Sequence, residues 1–141
     1  MANCAEQALQ AGSSPIVLVG SDAPTLPRQR LQQALELCAD RDVVLGPCLD
    51  GGYYLIGLRR LIPGIFEGIA WSSETVLLDT LRRAQQVEAS VALLEPWYDV
   101  DTPEDLSLLR THLNALDLAG AAIPCPRTRR FLQELQAGEE R

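Results

Sequence analysis

Hydrophobic and polar positions along the chain fall into two kinds of stretch. Residues 16–19, 43–45 and 91–94 are short runs without a polar side chain, a pattern typical of strands covered on both faces, as in a parallel sheet between helices. Residues 53–58 predict a further strand. Longer stretches between these runs repeat apolar positions at helical spacing. The chain is therefore predicted to alternate strands with helices.

Five helices are predicted from this spacing and from their end signals. The clearest start is at Thr102, an N-cap followed by Pro103 at the first helical position and Asp105 three residues after the cap, which resembles a capping box. A second helix is predicted to open at Trp71 and Ser72 with a serine N-cap. The others cover residues 2–11, 28–39 (with Leu31, Ala34, Leu35 and Cys38 on its buried face) and 127–136.

This order of elements predicts an α/β fold in a single domain over residues 1–141. The sheet is expected to be mixed but mostly parallel, with one antiparallel strand among the later ones and helices on both faces. No repeat, low-complexity segment or linker suggests a second domain.

Composition narrows the class of function. The net charge of -7 argues against a nucleic-acid binder, which needs a basic face for phosphates. All 12 basic residues are arginine, so lysine-dependent chemistry is excluded. The four cysteines have no CxxC spacing and indicate reduced thiols of a cytoplasmic protein rather than a zinc site. No stretch is long and apolar enough to cross a membrane.

Two loops carry acids after predicted strands. Asp22 follows residues 16–19, and ligands of open α/β sheets bind beyond the carboxyl ends of strands; a helix or turn cap is an equal alternative. Asp50 precedes Gly51 and Gly52, which let the backbone approach a ligand or simply form a hairpin turn.

A third pair of acids, Asp99 and Asp101, flanks Val100. Two carboxylates so close repel unless they are solvated or bridged by a cation, and both readings stay open. Trp71 either lines a substrate pocket or fills the core, and the core is favoured on general grounds.

Taken together, these motifs resemble one family. The stretches GSDAPTLP, GPCLDGGYYLIGL, Trp71-Ser72, DVDTPEDL and CPRT occur in one order along the chain. This set resembles bacterial glycosyltransferase-like proteins of the nucleotide-diphospho-sugar transferase superfamily, which have the GT-A fold. More distantly it is similar to the nucleotidyltransferases that make molybdenum cofactor dinucleotides and to the guanylyltransferase that acts on phospholactate.

The resemblance implies a divalent cation, Mg²⁺ or Mn²⁺, between protein carboxylates and a nucleotide diphosphate. Asp22 matches the first metal position and Asp101 the second, with Asp99 nearby. Asp50 matches the acceptor side, where it would orient or deprotonate a hydroxyl. The substrate-binding residues implied with these are Ser21, Gly51, Gly52, Tyr53, Trp71 and Ser72.

One departure from the family pattern affects these expectations. Relatives carry about the first third of the fold, including the nucleotide-binding loop, upstream of Ala2. The strand at residues 16–19 would then lose the neighbour that covers its edge, and an uncovered apolar edge invites pairing. A homodimer across that edge or the adjoining apolar surface is therefore expected.

Three functions remain open at this point. The first is metal-dependent glycosyl transfer from a nucleotide-diphospho-sugar, and the second is nucleotidyl transfer of the cofactor-guanylyltransferase type. The third is a non-catalytic remnant or interaction protein that is stable because it dimerises. Separately, upstream sequence or another chain is an alternative source of the missing part.

Overall fold

The computed structural model of the protein describes residues 2–139. Five helices and four strands follow one another along this range. They are α1 (Ala2–Gln10), β1 (Ile16–Val19), α2 (Arg28–Leu37), β2 (Val43–Pro47), β3 (Tyr53–Leu58), α3 (Val76–Gln86), β4 (Val91–Leu93), α4 (Pro103–Leu118) and α5 (Pro126–Glu139).

The four strands form one mixed sheet in the order β1-β3-β2-β4. β3 runs antiparallel to both of its neighbours, β1 and β2, whereas β2 and β4 are parallel. Three strands therefore share one direction, and β3 is the predicted antiparallel strand. The short loop after β2 returns the chain alongside β2, so that β3 pairs with it. β3 is an inner strand because β1 pairs with its other edge.

Alternate residues of the strands face opposite sides of the sheet. Ile16, Val43 and Ile56 point to the side where Ala5 of α1 and Ala84 of α3 complete a buried cluster. On the other side, a Cβ placed on Gly57 would lie 2.8 Å from Sγ of Cys38, just beyond α2. The sheet is thus covered on both faces, and the α/β prediction is confirmed.

Two helical predictions were wrong in detail. α3 begins at Val76 with Thr75 as N-cap, because Ser72 has φ 63° and cannot belong to a right-handed helix. On α2, Ala34 is buried as predicted, but Leu31 and Leu35 are 37% and 48% exposed. The periodicity identified the apolar face of α2 without showing how much of it packs on the sheet.

The described residues form two compact units. The first contains residues up to Gly20 together with Arg28–Tyr98, and the second contains Ser21–Pro27 together with the residues from Asp99 onwards. The sheet and α1 to α3 belong to the first unit, and α4 and α5 to the second.

Two predictions about the whole chain can also be compared with the structure. All four cysteines are free thiols, with Cys38 and Cys48 buried and Cys125 half-buried, as the spacing predicted. Among the described helices, none combines the length and the apolar character that a membrane crossing requires.

Candidate functional site

The loop that carries Asp22 is anchored by its small residues. The side chains of Ala23 and Thr25 are 8% and 2% exposed, while Ser21 and Asp22 lie at the surface. α2 starts only at Arg28, after Pro27, and within residues 2–139 no group bonds to the Asp22 carboxylate. The capping alternative for Asp22 is therefore not what the structure shows.

The segment with the other two acids lies against this loop. The backbone N–H of Val100 donates to the carbonyl oxygen of Asp22 over 2.9 Å. Both segments belong to the second unit, so the fold joins loops that are far apart in sequence. The hydrogen bond fixes the backbone between Asp99 and Asp101 next to the backbone of Asp22.

The position of Asp101 is further fixed by the start of α4. Thr102 accepts the N–H of Asp105 over 3.2 Å, and the Asp105 carboxylate accepts the N–H of Thr102 over 2.9 Å. The predicted capping box is thus confirmed. The Thr102 hydroxyl also donates to the Asp105 carboxylate over 2.7 Å, and this bond, followed by the one from the Thr102 N–H, lowers the pKa of Asp105. These hydrogen bonds also leave the exposed Asp101 carboxylate outside the cap.

The donor chemistry of this acid pair suits a hard cation. Asp22 and Asp101 both present carboxylates that are exposed and unbonded in the described part of the chain, and Asp99 is half-buried beside them in sequence. Mg²⁺ is typically held by one or two carboxylates, with water and substrate phosphates filling its other positions. The residues present fit such an ion.

The glycine loop belongs to the first unit and is built as a tight turn. Asp50 accepts the N–H of Gly52 over 2.8 Å, so one carboxylate oxygen shapes the turn between β2 and β3. Gly51 has φ 93°, and a Cβ there would lie 2.0 Å from the carbonyl oxygen of Glu74. Its own carbonyl accepts the N–H of Leu77 over 2.9 Å. This glycine is therefore required for the loop to reach the start of α3.

Three further predicted substrate residues belong to the first unit: Tyr53 begins β3, and Trp71 and Ser72 precede α3. Tyr53 is half-buried, and burial raises the pKa of its phenol, which keeps it neutral. Trp71 is 44% exposed, which fits a surface role better than a core one; its ring lies 6.1 Å from that of Phe66. Ser72 is exposed, and its backbone has the left-handed conformation. The predicted site residues thus fall into two groups, one in each unit.

Sequence reasoning missed two features near these loops. Thr25, which anchors the Asp22 loop, was overlooked because a threonine between prolines looks like an ordinary turn residue. Gly46 lies under the ring of Tyr54, where an added Cβ would be 2.4 Å from the ring. The Tyr54 hydroxyl donates to the carbonyl oxygen of Glu95 over 3.0 Å. The glycine-tyrosine alternation across β2 and β3 was the available signal.

Comparisons with known proteins agree with this architecture. A family model described as "Uncharacterized protein conserved in bacteria (DUF2064)" matches residues 1–73. The 2-phospho-L-lactate guanylyltransferase of Methanopyrus kandleri is 35% identical over 94 aligned residues, covering 63% of this chain and 46% of that protein.

A solved structure is similar over nearly the whole chain. It is the crystal structure of a "putative nucleotide-diphospho-sugar transferase" from Desulfovibrio desulfuricans G20, with a TM-score of 0.82 and 33% identity over 96% of this chain and 57% of that one. The chain thus spans about half the length of these two relatives. The resemblance to the nucleotide-diphospho-sugar transferase superfamily is confirmed.

Proposed function

The chain belongs to the DUF2064 family, and from this premise we propose that it is a metal-dependent transferase that uses a nucleotide-diphospho-sugar. The observation that carries the proposal is the 2.9 Å hydrogen bond from Val100 to Asp22. It joins the backbones of the two loops whose acids match the metal positions that the resemblance implies. The Desulfovibrio structure supports the same substrate class.

Asp22 and Asp101 are the proposed ligands of Mg²⁺ or Mn²⁺, with Asp99 as a third candidate. When bound, the cation would offset the negative charge that develops on the leaving diphosphate. The protein contributes carboxylates whose backbones are already fixed by the Val100 bond and the α4 cap. Little ordering would then be needed when the ion binds.

Asp50 is the proposed acceptor-side carboxylate. In glycosyl transfer, the acceptor oxygen forms a bond to the anomeric carbon while the bond from that carbon to the diphosphate oxygen breaks. The acceptor proton would pass to Asp50, and the nucleoside diphosphate leaves with the electron pair. Ser21, Gly51, Gly52, Tyr53, Trp71 and Ser72 are the proposed contacts to donor and acceptor.

Nucleotidyl transfer is the second candidate, supported by the guanylyltransferase of Methanopyrus kandleri. The acceptor would then be a phosphate oxygen that attacks the α-phosphorus of a nucleoside triphosphate, and pyrophosphate would leave. The same carboxylates would serve both reactions, since each needs charge stabilisation on a leaving phosphate group.

A homodimer is also part of the proposal. β1 lies at one end of the sheet order and all four of its residues are apolar. Its ladder bonds to β3 involve Gly20 and, by the alternation of an antiparallel pair, Leu18 and Ile16. The backbone groups of Val17 and Val19 therefore face away from β3. The exposed Leu31 and Leu35 of α2 add further uncovered apolar surface.

The experiment that tests the transferase proposal follows thermal unfolding with Mn²⁺ and a panel of nucleotides and nucleotide sugars. A ligand at about 100 times its Kd adds about 2.7 kcal/mol of stability. Incubation with the stabilising donor should then release nucleoside diphosphate for glycosyl transfer or pyrophosphate for nucleotidyl transfer. No cation-dependent shift with any of these ligands would contradict the proposal and favour the non-catalytic alternative.

A further inference from the structure

In the helix pair of the second unit, one nitrogen of a half-buried arginine has no hydrogen-bond partner among the described residues. Nε of Arg110, on α4, is buried and has no hydrogen-bond acceptor within residues 2–139. The rest of the side chain is likewise without an ion pair in this range. Leaving a buried donor unsatisfied is destabilising. A water molecule or a bound ion is one way to satisfy such a group.

A small pocket lies beside this guanidinium. It has a volume of about 20 Å³ and is lined by residues of α4 and α5, which is room for about one water-sized atom. Its polar lining consists of Arg110, Asn114, Arg129, Gln133 and Gln136, above the buried Leu113 and Leu132. All five polar side chains can donate hydrogen bonds, and none of them is an acid.

The charge of the surroundings also favours an anion. The one carboxylate bonded to this lining within the described residues is Asp117, which accepts from Arg129 over 2.6 Å. Two guanidinium groups against one carboxylate leave a local excess of one positive charge, in a chain whose net charge is -7. Oxyanions are the ligands that guanidinium groups bind best, because the fork of N–H groups matches two oxygens.

We infer that Arg110 and Arg129 form a binding site for an oxyanion, a phosphate or carboxylate group that places one oxygen in the pocket between α4 and α5. This site is independent of the proposed transferase chemistry. A bound oxygen would accept from Nε of Arg110 and from the amides of Asn114 and Gln133. The ligand thereby satisfies the unpaired donor and links the two helices.

The test uses the full-length protein labelled for NMR of arginine Nε–Hε groups, titrated with inorganic phosphate at constant ionic strength set with chloride. The Arg110 signal should shift in a saturable way. Arg110→Gln should weaken phosphate binding at least tenfold, while the control Arg130→Gln should change it less than twofold. Arg130 is suitable because its side chain is 82% exposed and pairs with Glu134 on the same helix.

A second ligand and a second variant of Arg110 complete the test. Acetate in place of phosphate shows whether a carboxylate suffices, and Arg110→Lys, which keeps the charge, replaces Arg110→Gln if that variant does not fold. A shift that does not saturate, or that is equal in chloride alone, would overturn the inference and leave a water molecule as the partner of Nε. Unchanged phosphate binding in both Arg110 variants would overturn it as well.

Discussion

The main-chain N–H of Val100 and the main-chain carbonyl of Asp22 form a hydrogen bond of 2.9 Å, although these residues lie far apart in sequence. Neither side chain takes part, so the bond positions the loops without occupying the Asp22 carboxylate. The carboxylates of Asp22 and Asp101 are both exposed.

Removing either carboxylate of the proposed metal site should weaken cation binding. Because a hard cation depends on charged oxygen ligands, we expect Asp22→Asn and Asp101→Asn each to raise the Kd for Mn²⁺ at least tenfold, or about 1.4 kcal/mol. Binding is measured by electron paramagnetic resonance of free Mn²⁺. Glu104→Gln, an exposed acid in the first turn of α4, is the control. Equal affinity in all three variants would reject the site.

Replacing Gly51 by alanine should destabilise the first unit strongly. The new Cβ would meet the Glu74 carbonyl at 2.0 Å and would also sit at φ 93°. Gly12 has a similar φ of 86° with open space around it, so Gly12→Ala isolates the backbone cost, about 1 kcal/mol. We expect Gly51→Ala to lose at least twice as much stability in urea unfolding. Similar losses in the two variants would show that the loop moves freely away from α3.

Thr102→Ala should destabilise α4 by about 1 kcal/mol, the usual cost of losing a threonine N-cap. Thr102→Ser keeps the hydroxyl and should restore most of this loss. Since Asp101 directly precedes the cap, we also expect Thr102→Ala to weaken Mn²⁺ binding severalfold. The measurements are urea unfolding and Mn²⁺ titration of the same variants. Full stability in Thr102→Ala would contradict the role of the capping box.

The contribution of Asp42 to the free energy of unfolding should decrease at acid pH. This carboxylate accepts from the N–H of Ser90 at 3.0 Å, from its hydroxyl at 2.9 Å and from Arg60 at 2.8 Å. The backbone bond from Ser90 is the main cause that lowers the pKa of Asp42 from 3.8 to about 2. The unfolded chain therefore binds the extra proton first, and the stabilisation is present above pH 4 and lost as pH falls towards 2.

The variant that measures this contribution is Asp42→Ala. It should lose about 1–3 kcal/mol at pH 7, and its difference from the parent protein should shrink between pH 4 and pH 2. Asp40→Ala changes an exposed acid in the same turn and serves as the control. A difference between parent and Asp42→Ala that stays constant with pH would contradict this account of hydrogen bonds to the Asp42 carboxylate.

The proposed dimer predicts a concentration-dependent mass. Light scattering at micromolar concentration should give twice the chain mass of 15.4 kDa. Val19→Lys, on the exposed end of β1, should favour the monomer because a charged edge disfavours strand pairing. Leu118→Lys, at a 91% exposed position on α4, should leave the mass unchanged. A parent protein that is already monomeric would contradict the dimer.

Local sequence patterns predicted the helices and strands better than they predicted the tertiary contacts around them. The runs at β1 and β3 and the cap at Thr102 follow from short-range chemistry, and the structure agrees. By contrast, α3 starts late because Ser72 adopts a left-handed conformation, and the exposure of Leu35 depends on what packs against α2. Neither feature leaves a periodic trace in the sequence.

The same limit applies to the candidate site. The acids Asp22, Asp99 and Asp101 were identifiable from motifs, but the hydrogen bond that brings their loops together joins distant segments. No motif in the sequence singles out Arg110. Only the fold shows that its Nε is buried without an acceptor among the described residues.

The second unit is assembled from two separate stretches of chain, and this affects the order of events during synthesis. The seven residues Ser21–Pro27 leave the ribosome early, whereas the segment from Asp99 onwards, with which they form one unit, emerges much later. Closing a loop of that length is a late, entropically costly event. Nascent chains that stop before Asp99 should therefore fail to retain Mn²⁺, and acquisition of the ion would mark the completion of folding.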